Sequence, residues 1–191
     1  MNPSPERTCT AFAGPKKIAH GHLLDVALKV KSHLQKDKNA SILIFDDVTS
    51  AQVELDLRGT MEAVEKRMKE AFPDESEKPA GPGRPKLGVV SREISLLPRH
   101  WEWLALQPGG ASVTIRKLIE EAKKKTQGRD EIRQAQDATY KFMTVMAGDL
   151  PHYEEALRAF YAKDGSLFKK LMGEWPKDVR DHVLKLSDAI L

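Results

Sequence analysis

The sequence predicts an α+β protein, with a small β-β-α-β-β-α layer at the N-terminus, a mixed segment in the middle and a helical bundle at the C-terminus. Alternating or β-branched apolar runs, which are typical of strands, occur before residue 60 and again near residue 90. Elsewhere apolar residues recur three and four positions apart, the period of an amphipathic helix. Hydrophobic residues make up 40% of the 191-residue chain, which is enough for an ordinary globular core.

Residues 1–72 are predicted to form a small α/β domain. Its first two strands, 8–13 and 17–20, flank Gly14-Pro15, a pair typical of turns. The helix that follows places a set of apolar residues on one face: Leu23, Leu24, Ala27, Val30 and Leu34.

The second half of this domain repeats the order of strands and helix. Residues 41–45 are apolar and β-branched, which predicts a buried strand, and Asp46 and Asp47 are expected to accept backbone amides in the turn that follows. Residues 53–57 alternate apolar and acidic side chains, which predicts a half-buried strand. Thr60 is expected to cap a last helix that carries Met61, Val64, Met68 and Phe72.

A segment rich in proline and glycine, 73–88, predicts an exposed linker. It separates the first domain from a central segment, 89–127, and a helical domain, 128–191. Whether the two flanking domains are separate units stays open from the sequence alone.

Four helices are predicted in the C-terminal domain. The first covers 130–146, and the second follows Asp149-Leu-Pro151, where proline suits the first helical turn. Ser166 is expected to cap the third helix, and Pro176 is expected to open the fourth. Each carries one apolar face that must pack against another element.

Composition excludes some classes of protein. The longest purely apolar run, Ile42–Phe45, is far shorter than the ~20 residues that span a bilayer, and residues 1–10 lack the apolar stretch of a secretory signal. A single thiol, Cys9, cannot form an internal disulfide, which fits a reducing cytoplasm. We therefore expect a cytoplasmic protein that does not enter a membrane.

The positive charge is concentrated in the middle of the chain. Residues 80–127 hold nine basic and four acidic side chains, whereas the rest of the protein holds 22 basic and 24 acidic ones. Such a local excess indicates a localised anionic partner.

The central segment has the order strand, helix, glycine turn, helix. A strand-like run, 89–97, ends at Pro98; a short helix, 99–106, and the breaker Pro108-Gly-Gly110 follow. Ser112 is expected to cap a second helix with Ile115, Leu118, Ile119 and Ala122 on one face. This segment resembles a ribbon-helix-helix module in the proline that closes the strand, in Gly110-Ala-Ser112 and in the helix from Ile115-Arg116 to Ile119.

The resemblance implies a homodimer that binds DNA. In that family two chains pair their strands into a ribbon that enters the major groove, and the N-terminus of the second helix holds a backbone phosphate. One strand and two short helices cannot bury their apolar residues alone, so pairing would also complete the core. The nucleic-acid-binding residues are then Arg92 on the strand, Ser112 with the amides after it, and Arg116 and Lys117.

The linker adds a further DNA-binding pattern. Gly83-Arg-Pro-Lys86 resembles the Gly-Arg-Pro core of an AT-hook, which lies in a narrow minor groove. This resemblance assigns DNA contacts to Arg84 and Lys86.

A protein-interaction adaptor is the alternative. Ile94 and Leu96 lie on the strand face that would read DNA; in this alternative the same strand only dimerises, and the C-terminal helices dock a protein partner. No nucleophile, base and orienting group occur together, so the prediction is a non-enzymatic protein without a cofactor.

His20, His22, Asp46 and Asp47 carry side chains of the kind that ligate metals. Two histidines without a third ligand are more often surface residues, so no metal is predicted.

The whole chain resembles a bacterial family of unknown function, the domain of unknown function 2239. The resemblance is carried by six stretches: 10–14 (TAFAG), 45–47 (FDD), 55–59 (LDLRG), 97–110, 146–151 (MAGDLP) and 175–182. It implies no activity, so the functional prediction depends on the residues above.

Overall fold

A three-stranded antiparallel sheet forms the N-terminal part of the fold in the computed structural model, which describes residues 8–72 and 91–191. Its strands are β1 (Thr8–Ala13), β2 (Lys16–His22) and β3 (Ile42–Asp46), in the order β2-β1-β3. The central position of β1 sets Thr10 between His20 on β2 and Phe45 on β3.

Seven helices accompany the sheet in the described ranges. They are α1 (Leu23–Lys36), α2 (Met61–Ala71), α3 (Pro98–Ala105), α4 (Gly110–Ala147), α5 (Tyr153–Tyr161), α6 (Gly165–Leu171) and α7 (Lys177–Ser187). The predicted α+β class and the helical C-terminal region are confirmed.

The sheet is covered on both faces, because successive side chains of β1 point in opposite directions. Cys9 and Ala11 join one core with residues of α1 and α2, among them Val26, Val30, Val64 and Met68. Phe12 points the other way and joins Phe45 in a second core with the C-terminal helices, among them Phe142, Phe160, Phe168, Trp175 and Val183. The N-terminal sheet and the C-terminal helices therefore share a core.

The fourth predicted strand, 53–57, was wrong. Beyond one isolated bridge between Phe45 and Gln52, and the Val53 N–H that donates to the Ile44 carbonyl (2.8 Å), this segment does not pair with the sheet. Side chains take up its carbonyl groups instead: Lys31 Nζ donates to the Leu57 carbonyl at 2.7 Å, and Arg67 donates to those of Asp56 and Arg58.

The alternation of burial predicted for that segment is nevertheless present. Val53, Leu55 and Leu57 are half-buried and pack against the α1 and α2 core, while the residues between them are exposed. The alternation therefore indicated correctly which side chains face the core, although the segment does not form the hydrogen bonds of a strand.

α4 has 38 residues and is longer than predicted. It joins the second predicted helix of the central segment to the helix predicted over 130–146. It begins at Gly110, so the predicted cap at Ser112 was wrong. Gly128 does not end it, because a single interior glycine costs only about 1 kcal/mol and strong helix formers flank it.

Side-chain hydrogen bonds identify the residues that cap two other helices, α2 and α6. The Thr60 side chain accepts from the Ala63 N–H at 3.3 Å, which confirms the predicted cap of α2. The third C-terminal helix, α6, is capped by Asp164, whose Oδ1 accepts from the Leu167 N–H at 2.9 Å, and not by Ser166 as predicted.

The chain divides into two compact units. In its described part, the first unit holds 8–72 and 131–191, and the second holds 91–130. The predicted linker 73–88, with its AT-hook-like Gly83–Lys86, and the first two residues of the predicted strand 89–97 lie outside the described residues.

Across the described ranges, no helix is both long enough and apolar enough to cross a membrane.

Candidate functional site

The second unit is built from a non-regular segment, a short helix and the first half of α4. Residues 91–97 form neither helix nor strand in the structure, in contrast to the predicted strand. Pro98 begins α3, one residue before the predicted start of this helix, and the Leu97 carbonyl accepts from the His100 N–H at 2.8 Å. Segment 91–97 thus has no strand partner within the described part of the chain.

Two glycines shape the turn between α3 and α4. Gly109 and Gly110 have φ of 85° and 73°, a region that favours glycine, and the Gly110 N–H donates to the Gln107 carbonyl at 3.0 Å. α4 therefore starts two residues before the predicted cap, and Ser112 lies within its first turn. The first-turn amides still point away from the helix, as at every helix N-terminus.

The predicted nucleic-acid-binding residues that can be placed lie on the surface of this unit. Arg92, Ser112, Arg116 and Lys117 are all exposed. Arg116 Nε donates to the Ser112 backbone carbonyl at 3.1 Å, so the Arg116 side chain reaches back to the first turn of α4. Arg92 belongs to the segment before α3, and Arg84 and Lys86 lie outside the described residues.

Apolar side chains of the second unit are left exposed. Among its described residues only Leu104 is buried, while Ile94 is 52% and Leu106 83% exposed. The exposed set also contains Leu97, Trp101, Trp103, Leu118 and Ile119. Trp101 and Trp103 are 43% and 50% exposed, so α3 leaves most of its apolar face in solvent.

A second notable feature is a polar cluster on the first unit, where α7 meets the sheet. Thr10 Oγ1 donates to Asp47 Oδ1 at 2.5 Å, and His20 Nε2 lies 2.9 Å from Asp47 Oδ2 as a charge contact. The register explains the grouping, because Thr10 lies directly opposite His20 and Asp47 follows β3 immediately.

Asp47 is held ionised by these contacts. Burial acts to raise the pKa of Asp47, but hydrogen bonds from Thr10 and Thr8, together with the nearby Lys185 and His20 side chains, outweigh it. The pKa of this carboxyl therefore lies below its usual value. The neighbouring Asp46 makes the predicted turn, since its Oδ1 accepts from Val48 N, Thr49 N and Thr49 Oγ1.

His182 on α7 is the buried member of this region. It is 6% exposed and packs against the rings of Phe12 and Phe142, with centroids 5.4 and 4.4 Å away. Its Nε2 has no hydrogen-bond partner among the residues that the structure describes. Burial, more than any charge, lowers the pKa of His182 to about 4, so the imidazole is neutral near pH 7.

The sequence analysis considered His20 together with Asp46 and Asp47, but as metal ligands, and it gave no reason to place His182 beside them. The described residues contain no group of three or more His, Cys, Asp or Glu side chains that could hold a metal ion. The histidines considered as ligands thus form no such group there.

Fold and surface together define an α+β protein with a buried-sheet unit and a helical unit whose basic and apolar side chains both face solvent. The chain belongs to a family described as an uncharacterised protein conserved in bacteria, DUF2239, whose sequence profile matches residues 8–187. The predicted family is thereby confirmed. No curated protein and no solved structure matches the chain.

Proposed function

We propose that this chain is a non-enzymatic, cytoplasmic DNA-binding protein that works as a homodimer, with transcriptional regulation as its role. The second unit would pair with its copy in another chain and hold DNA through Arg92, the first turn of α4, Arg116 and Lys117. Arg84 and Lys86 of the linker would add contacts in the minor groove.

The single observation that carries the proposal is the exposed apolar set of the second unit. Ile94, Leu97, Trp101, Leu118 and Ile119 are each more than two-fifths exposed, and Leu104 is the buried residue of the unit's described part. A unit this small cannot be stable with its apolar face in water. A second copy is the occupant that fits best, because segment 91–97 has no strand partner among residues 8–72 and 91–191, and a two-fold axis would pair it with itself.

Charge supports DNA as the ligand of that dimer. The described residues of the second unit carry eight basic side chains, Arg92, Arg99, Arg116, Lys117, Lys123, Lys124, Lys125 and Arg129, against five acidic ones. A dimer doubles this excess. Phosphate contacts by such side chains supply most sequence-independent DNA affinity and make it depend on salt.

The test combines oligomeric state with DNA binding of the full chain. Analytical ultracentrifugation should find a dimer, and fluorescence anisotropy should find duplex binding that weakens as salt rises. Each Arg116→Gln substitution removes one phosphate contact, and a dimer carries two, so the slope of log K against log salt should fall in magnitude by about 2. Lys169→Gln, an exposed lysine on α6, is the matched control and should leave the slope unchanged.

An interface variant separates dimerisation from DNA contact. Ile119→Glu places a charge on the exposed apolar face of α4 and should produce a monomer with much weaker DNA binding. A wild-type monomer that binds no random duplex at low salt would refute the proposal.

The adaptor alternative is favoured by one observation. Ile94 is half exposed on the segment proposed to enter the groove, where a polar side chain would serve DNA better. A stable dimer that does not bind DNA in the same titration would support an adaptor, with its protein partner docked on the C-terminal helices.

A further inference from the structure

One side of α3 carries exposed aromatic and apolar side chains next to a cation. Trp103 is 50% and Leu106 83% exposed, and Arg99, which is also exposed, lies one turn before Trp103. Residues three and four positions apart are neighbours on a helix, so Arg99, Trp103 and Leu106 form one continuous surface, the outer face of α3. An exposed apolar patch with a charged rim is typical of an interaction site.

The outer face is separate from the side of α3 that is assigned to the second copy of the chain. Side chains advance by about 100° per residue around a helix, so Trp103 and Trp101 lie about 160° apart. The buried Leu104 lies about 60° from Trp101 but about 100° from Trp103. A dimer contact made through Trp101 therefore leaves Trp103 in solvent.

A tryptophan beside an arginine on a basic surface suits an unpaired nucleotide base. The indole and the base stack face to face, and a guanidinium group adds attraction for the same ring. In a duplex each base already stacks on its neighbours, so the face of a base is free only where the strand is single. The described second unit has eight basic side chains against five acidic ones, which complements the phosphates of that strand.

The apolar character of segment 91–97 favours the same ligand. Direct reading of a duplex in the major groove depends on hydrogen-bonding side chains, but Ile94 is exposed where the proposed ribbon would meet the base edges. Stacking does not depend on such side chains, because every base has a π-face. The exposed side chains of this unit therefore match an unpaired strand better than they match base edges.

The backbone fixes the position of Trp103 near the end of α3. Its carbonyl accepts from the Leu106 N–H at 3.2 Å and from Gln107 Nε2 at 3.1 Å. The glycine turn then leads directly into α4, whose first turns carry Arg116 and Lys117. The ring is thus presented from a defined helix end, in the same unit as the side chains proposed to bind phosphate.

We propose that the outer face of α3 binds single-stranded DNA, with Trp103 stacked on an unpaired base and Arg99 beside it. This inference rests on the proposed DNA-binding function, which supplies the phosphate contacts of Arg116 and Lys117. It adds an unpaired base as the feature that the protein recognises.

Fluorescence anisotropy of the full chain tests the inference with three probes at low salt. They are an oligothymidylate of about ten nucleotides, an abasic strand of the same length and a duplex. The two single strands carry equal charge, so only stacking distinguishes them, and oligothymidylate should bind about tenfold more tightly. Trp103→Leu, which keeps an apolar side chain but cannot stack, should remove that difference, whereas Trp103→Phe should retain most of it.

Tryptophan emission provides a second readout, because stacking on a base quenches indole fluorescence. Of the three tryptophans, Trp175 is buried and its Nε1 donates to the Pro151 carbonyl at 2.8 Å, so its emission should stay constant. Oligothymidylate should quench the emission of the wild type and of Trp101→Phe. Trp103→Phe should lose the quenching while it still binds.

The control is Tyr161→Leu, at an exposed aromatic side chain of the first unit, which should change neither readout. Equal affinity for oligothymidylate and the abasic strand, unchanged in Trp103→Leu, would overturn the inference, and duplex binding in the same titration would leave the proposed function standing. Failure of all three probes to bind would reject both. A Trp103→Leu chain that sediments as a monomer, beside a dimeric wild type, would assign the outer face to the second copy and also overturn the inference.

Discussion

Acid should destabilise this protein through His182. In the folded protein burial lowers the pKa of His182 to about 4, whereas in the unfolded chain it returns to about 6.5. Between these values the unfolded chain binds a proton that the folded protein does not, so the free energy of unfolding rises with pH. The contribution is complete above pH 6.5 and is lost as the pH falls towards 4.

The size of the effect follows from the two pKa values. A tenfold difference in proton affinity is worth about 1.4 kcal/mol, so the difference between the two pKa values corresponds to ~3 kcal/mol in the free energy of unfolding. Of this contribution, about 2.5 kcal/mol is lost by pH 4.5. Asp47 acts in a lower range, because its lowered pKa stabilises the fold only above the usual carboxyl value of 3.8 and is lost below it. The two contributions can therefore be separated by pH.

Urea unfolding followed by circular dichroism between about pH 7 and pH 4.5 measures this contribution. His182→Phe retains the ring packing and removes the proton site, so it should lose about 2.5 kcal/mol less than the wild type over the same range. At pH 7 it should be at least as stable, since replacing an unpartnered buried nitrogen by an apolar group of similar shape is near neutral. His100→Phe, at an exposed position in the second unit, is the control. If the wild type and His182→Phe lose equal stability, the assignment of the proton to His182 is wrong.

Four further substitutions test the packing and the caps of the first unit by the same urea assay. Phe142→Ala should cost about 3–5 kcal/mol, because this ring is fully buried against Phe12 and Phe45 and leaves a cavity. Thr60→Ala should cost about 1 kcal/mol through loss of the α2 cap. Asp164→Ala should cost a similar ~1 kcal/mol, whereas Ser166→Ala should cost less, since Asp164 caps α6; the reverse order would contradict the observed cap.

Local patterns predicted most elements of this fold because their causes are local. The turn at Asp46 and the cap at Thr60 depend on atoms within three residues, and both were predicted. The strand predicted at 53–57 failed because Lys31 and Arg67, distant in sequence, supply the hydrogen bonds that a neighbouring strand would have supplied.

The polar cluster where α7 meets the sheet could not be predicted for the same reason. Lys17 and Asp178 are 161 positions apart in the chain, and only the packing of α7 on the sheet brings them together. Periodicity assigns a residue to a face of its own element, but it carries no information on which face of another element it will meet. The sequence shows His182 as a polar residue within the apolar stripe of α7, which does not indicate which residues of the sheet it meets.

The two halves of α4 provide a direct test of the incomplete second unit. Residues 138–147 contribute Ala138, Phe142, Met143 and Ala147 to a core, whereas no residue of 110–130 is buried. A helical segment without packing is marginal in water, so its amides should exchange with solvent through local opening. At concentrations where the chain is a monomer, hydrogen exchange measured by mass spectrometry should therefore be much faster over 112–128 than over 138–147. Dimer formation should slow exchange in the first half of α4 and leave the second half unchanged. If the first half is as protected as the second in a proven monomer, it needs no partner, and the argument for the homodimer, with the DNA-binding function built on it, fails.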